Sequence, residues 1–179
     1  MDGGIMMEIK IKYKNKNLNF TSKKEYIEKN LLIEYGDLAA KIASSPISIS
    51  DSSIFMDLES EMCLKIFDIW EVDKYNLDGK KILEENIFMN KEKFIYKMLL
   101  GKILRLIPAG VTILSIGINA SLAKRFTQAL GYAISELCLS YINLLDSREN
   151  VDPNEIFTKD AVENFMESYL IEYNKTVLN

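Results

Sequence analysis

The chain has 179 residues, 48% hydrophobic and 27% charged, a globular composition that excludes disordered and fibrous classes. Its 22 Lys+Arg against 26 Asp+Glu give a net charge of −4, which argues against nucleic-acid binding driven by phosphate neutralisation. Histidine is absent (His 0), which removes Ser-His-Asp and Cys-His catalysis, histidine-ligated metal sites and the commonest general base.

Residues 7–13 alternate apolar and polar, the period of a half-exposed strand. Asn15-Lys16-Asn17 can turn it, and Leu18-Asn19-Phe20 alternates again, so a short β-hairpin is expected over residues 1–20. Everything from 21 to 179 reads as one α-helical domain of about six helices around one long central helix. Ser22-Lys23-Lys24-Glu25 has the form of a capping box, in which hydroxyl and carboxylate satisfy free backbone N–H groups. The helix it opens carries Ile27, Leu31, Tyr35, Leu38 and Ile42 and stops before Pro46. Ser50 or Asp51 caps a second, with Ile54, Leu58, Met62, Ile66 and Trp70 expected on its buried face.

Asp73–Asp78 reads as a polar loop and about Gly79 to Phe88 as a short helix. Asn90 caps a further helix through Phe94, Met98, Leu99, Ile103 and Leu106, which Pro108-Ala109-Gly110 breaks. From about Val111 to Asp146 helical spacing is unbroken by proline, an element of about 50 Å at about 1.5 Å per residue. Asp152-Pro153-Asn154-Glu155 is a helix-start signature, and Thr158 recaps the closing helix, whose face carries Val162, Phe165, Met166, Tyr169, Leu170 and Tyr173.

Chemistry-bearing motifs are few. Gly101-Lys102 lacks the upstream glycine and following hydroxyl residue of a phosphate-binding loop. The acidic run around Asp73, Asp78, Glu84 and Glu85 does not hold the alternating oxygen ligands that calcium needs. Glu59 and Glu61, two apart on a helix, point in different directions and do not form a carboxylate pair. Cys63 and Cys138 sit among apolar neighbours and read as small buried hydrophobes in a reducing compartment. No secretory leader is visible in the first residues, so a cytoplasmic location, peripheral to a membrane at most, is expected. The reading is non-enzymatic: no catalytic residue, no cofactor site and no metal site is expected.

Residues 106–123 carry no charge and reach the lower edge of a membrane span, but Pro108, two glycines, Asn119 and several hydroxyl groups also suit a buried core helix. Gly117 and Ser121 form a small-xxx-small pair, and Gly131 follows on the same long helix. Glycine costs about 1 kcal/mol relative to alanine inside a helix, so Gly117 and Gly131 imply a close neighbour. The candidates are the helices carrying Leu58, Met62 and Ile66 or Met98 and Ile103. Pro108, Gly110, Gly117, Asn119, Ser121 and Gly131 are therefore the expected helix-packing or interaction residues. Lys10, Lys12, Lys14, Lys16, Lys23 and Lys24 make the N-terminus locally basic, either as a solvated edge that discourages strand pairing or as a contact surface.

Three stretches together resemble a known family. They are Ser45-Pro46-Ile47-Ser48-Ile49-Ser50-Asp51 followed by Leu58, Met62 and Ile66; the central set Ile107-Pro108-Ala109-Gly110, Gly117-Ile118-Asn119-Ala120-Ser121 and Thr127-Gln128-Ala129-Leu130-Gly131; and the closing helix around Phe165–Tyr173. They resemble an uncharacterised helical domain attached to bacterial small GTPases, distantly similar to the helical part of immunity-related GTPases. The resemblance spans roughly residues 35–175, and its motifs are small-residue patterns, not catalytic ones. It implies an all-α accessory or effector module that meets a GTPase, a membrane or another protein. This sequence departs from the family in holding no GTP-binding domain, and it places Lys97, Lys102, Arg105, Lys124 and Arg125 around the apolar stretch.

Three readings follow. The first is a non-enzymatic helical module that binds a protein partner, a GTPase in trans or a larger complex. The second is a membrane-associated protein using residues 106–123. The third is a small phage- or pathogen-type inhibitor that blocks a larger machine.

Overall fold

A computed structural model describes residues 20–44, 52–88, 116–147 and 150–177, and among these there is helix and no strand. The fold is all-α; the expected N-terminal hairpin and the expected helix after Asn90 lie outside the described residues. Helices α1 (Phe20–Tyr26) and α2 (Leu32–Ser44) are joined through a π-helical turn at Ile27–Leu31. Helix α3 is Ser52–Trp70, and a 3-10 turn at Val72–Tyr75 leads to the short α4 (Gly79–Ile82) and a second π turn at Leu83–Ile87. The long helix α5 is Ile116–Ser147, and α6 (Pro153–Ile156) and α7 (Lys159–Val177) close the chain.

Pairings between named side chains give the directions of packing. Lys24 meets Glu136 and Asp37 meets Lys124, so the α1–α2 rod runs antiparallel to α5. Lys23 meets Glu71 and Tyr35 meets Glu61, so the same rod is antiparallel to α3. Tyr132 stacks near Tyr169 and Tyr141 near Phe157, so α7 also runs antiparallel to α5. Among the described helices the long one is thus central, as expected from the sequence.

The main core joins these helices through Trp70, Tyr35, Phe157, Ile27, Met62 and Leu130, all almost fully buried. Trp70 donates its indole N–H to Ser135 Oγ at 3.0 Å, so the largest core side chain buries no unpaired donor. The two cysteines are free and buried.

Two helix starts match the sequence. Asp152 accepts from the Asn154 N–H at 2.9 Å ahead of Pro153, and Thr158 accepts from the Ala161 N–H at 3.2 Å. The first start differs. Phe20 and Thr21 are already helical, so Ser22 lies inside α1 and is no N-cap. Asp78, the last residue of the run read as a polar loop, caps α4 by accepting from the Lys81 N–H at 3.0 Å.

Candidate functional site

Two features of the α2–α3 end stand out from the general packing. The first is a layer of buried polar side chains between α2, α3 and α5. Glu59 is 3% exposed, Thr127 is 0% and Gln128 is 6%. Thr127 Oγ1 donates to Glu59 Oε1 at 3.4 Å, which is long for a hydroxyl donor. Burial pushes the Glu59 carboxyl up to about 8 from its ordinary 4.5, and the Thr127 bond offsets only part of that. Gln128 lies against Gly36 of α2, where a Cβ would come within 2.9 Å of its Cγ. A side chain at position 36 would force Gln128 aside, so glycine lets the polar layer close.

Beyond this layer the apolar packing changes character. A separate small cluster holds Ala39, Ala43, Phe55 and Ala123, with Ile42, Leu58 and Ala120 packed against it. Among the described residues, three of its four buried members are alanines.

The second feature is exposure. Leu38 and Ile54, both on the apolar spacings read from the sequence, are each 37% exposed, beside Phe20 (44%), Ile33 (46%) and Ile171 (40%) among the described residues. For Ile54 the reason is geometric. A four-residue step overshoots one turn by about 40°, so a stripe at that spacing winds around the helix. Met62, Ile66 and Trp70 reach the core while Ile54, at the far end of the same stripe, has rotated out. Leu38 and Ile54 stand one turn from Ile42 and Leu58 on their respective helices, so the two exposed side chains border the alanine-rich cluster.

The expected site residues fall in several places. Gly131 is buried, and a Cβ there would collide with Leu32 and with Met62 Sδ, so the close neighbours are α2 and the Met62 helix. Ser121 is exposed. Gly117 and Asn119 lie in the opening turn of α5, where side-chain surroundings are outside the described residues, as are Pro108 and Gly110 altogether. Lys10, Lys12, Lys14 and Lys16 are also outside them. Lys23 and Lys24 do not form an open basic surface. Lys23 is buried against Glu71 at 2.7 Å, and Lys24 pairs with Glu136 across the α1–α5 interface. Hydrogen bonds from Lys23 and then Lys74 hold the Glu71 carboxyl below its ordinary range. Arginine or lysine heads committed inside a fold are poor recruiters of an outside anion.

Sequence reasoning missed Glu59 and the exposure of Leu38 and Ile54. The winding of the four-residue stripe could have signalled Ile54, and nothing in the spacing signals Leu38. Glu59 carries no sequence signal beyond lying between Phe55 and Met62, two residues that face the core.

Among the described residues no group of three or more Cys, Asp or Glu side chains could hold a metal ion. No helix among them is long and apolar enough to cross a membrane. Compared with family models, curated proteins and solved structures, the chain matches none of them. The resemblance to the GTPase-associated helical family gains no support from these comparisons.

Proposed function

We propose that this chain is a non-enzymatic helical module that acts through protein–protein contact, with a GTPase supplied in trans as its partner. The observation that carries the reading is the placement of Leu38 and Ile54, two large aliphatic side chains exposed on neighbouring helices at one end of the bundle. Single exposed apolar residues are ordinary, but two on neighbouring helices beside one cluster make a small docking face. Exposed Asp57 and Lys41, each three residues from Ile54 and Leu38 on their helices, add the polar groups that protein interfaces carry at their rims. The small-residue patterns that resemble the GTPase-associated family supply the partner class.

A photo-crosslinking residue placed at position 38 or 54 tests this in cells of the source organism. The reading expects one GTP-binding protein to be captured from both positions and not from position 171, an exposed apolar site on α7. Equal capture from all three positions would sink it.

A further inference from the structure

We infer that α1 (Phe20–Tyr26) is a strap beside Trp70, latched by the Lys23–Glu71 ion pair and pivoting at the π turn Ile27–Leu31. Of the seven residues of α1, the buried one is a lysine. Helices ordinarily dock through an apolar stripe, and lysine is seldom buried unless it is paired. A buried ammonium is tolerated with its counter-charge, and removing that partner leaves an uncompensated charge in the interior. Lys23 therefore makes the docked position of α1 conditional on the Glu71 carboxylate.

The carboxylate is presented by an unusual backbone. Glu71 directly follows α3 in the left-handed region, at φ 55° and ψ 41°, which a residue with a Cβ seldom adopts. From there Oε2 accepts from Lys23 at 2.7 Å and Oε1 accepts from Lys74. The next residue of α1 has a similar partner, since Lys24 pairs with Glu136 of α5, its ammonium 5.8 Å from the Tyr132 ring centre. Neighbouring residues on a helix point about 100° apart, so the two lysines reach carboxylates on two different helices. Phe20, at the start of α1, lies 5.9 Å from Trp70, which is 1% exposed. The π turn that follows buries Ile27 and Leu31 in the main core, which gives the strap a fixed pivot.

The latch is sensitive to acid. Facing Glu71 are Lys23 from α1 and Lys74 from the 3-10 turn, where Asp73 also acts on Lys74. Facing Lys24 are Glu136 and Tyr132 of α5 and Glu28 of the π turn. The two lysines hold the Glu71 carboxyl below its ordinary 4.5, so its stabilisation of the docked strap is complete above that value. It is lost as pH falls through the lower docked-state value. Release uncovers Trp70 at the other end of α3 from Ile54, so the inference stands apart from the docking reading.

Trp70 is the single tryptophan, so acrylamide quenching of its fluorescence reads the strap on the full chain without a partner. Amide protection factors at Lys24–Tyr26 read it independently. Glu71→Gln should raise the quenching constant about twofold or more and lower protection at Lys24–Tyr26 about tenfold or more, while Leu130–Ile142 keep theirs. Lys23→Met removes the buried charge and keeps most of the bulk, so adding it to Glu71→Gln should restore both readouts. A role for Glu71 confined to the backbone after α3 gains nothing from that second change. Where Glu71→Gln folds poorly, the wild type taken from about pH 7 to 3 must lose protection at Lys24–Tyr26 before Leu130–Ile142. Unchanged readouts in Glu71→Gln, no restoration by Lys23→Met, or an even loss that includes Leu130–Ile142 would overturn the inference.

Discussion

Thr127 Oγ1 donates to Glu59 Oε1 at 3.4 Å across the α3–α5 interface, and among the described residues this long contact is the hydrogen bond given to a carboxyl that is 3% exposed. A carboxylate there would be poorly compensated, so the group is held as the neutral acid over a wide pH range.

The sign of the resulting pH dependence is fixed. The folded-state value, about 8, is raised above the ordinary 4.5, so the stabilisation from the bound proton is full below pH 4.5 and lost as pH rises through 8. Glu59→Gln keeps the shape and removes the titration. Urea melts of the two proteins should diverge in that window, the variant gaining on the order of 4 kcal/mol relative to wild type by its upper end. Parallel stability curves across the window would show that Glu59 is not held neutral.

Gly131 tests the close approach of helices. A Cβ meets Leu32 and Met62 together, so Gly131→Leu overpacks the α2–α3–α5 junction and should cost roughly 1–3 kcal/mol despite better helix propensity. Gly131→Ala should be milder, because the ends of Leu32 and Met62 can shift. Thermal melts that show either variant as stable as wild type would contradict the packing.

The helical architecture was legible where local chemistry decides it. Asp152-Pro153 and Thr158 act as the sequence says because a cap needs only its own turn. A helix-interior glycine demands a near neighbour, and of the two helices the sequence offers for Gly131 the one carrying Met62 meets it, together with Leu32 of α2, which the sequence does not point to. What failed depended on tertiary direction. Ser22 resembles a cap, yet the packing of Phe20 beside Trp70 accompanies a helix that already includes the residues before it. Lys23 and Lys24 count as surface charge in a linear reading, but Glu71 and Glu136, far along the chain, consume them. Glu59 leaves no mark in the sequence because it stands without a paired carboxylate, Glu61 facing another way.

Ser135 supports the largest core side chain. Ser135→Ala removes the acceptor for the Trp70 indole N–H, leaving a buried donor unsatisfied at a cost of about 1–3 kcal/mol. Denaturation followed by the fluorescence of this single tryptophan should show the loss, with an altered native emission. An unchanged midpoint would mean that the indole finds another partner.

No nucleotide-binding loop occurs in the sequence, so the isolated chain should give no heat of GTP binding. Micromolar binding by calorimetry would require a phosphate site of a different kind.

The docking claim is tested most directly by affinity capture from the source organism with three baits: the wild type, the double variant Leu38→Asp/Ile54→Asp, and Ile171→Asp. The first and third should retain the same GTP-binding protein and the double variant should lose it, while all three baits keep wild-type melting curves. Retention by the double variant, or failure of the wild type to enrich any GTP-binding protein, would contradict the account.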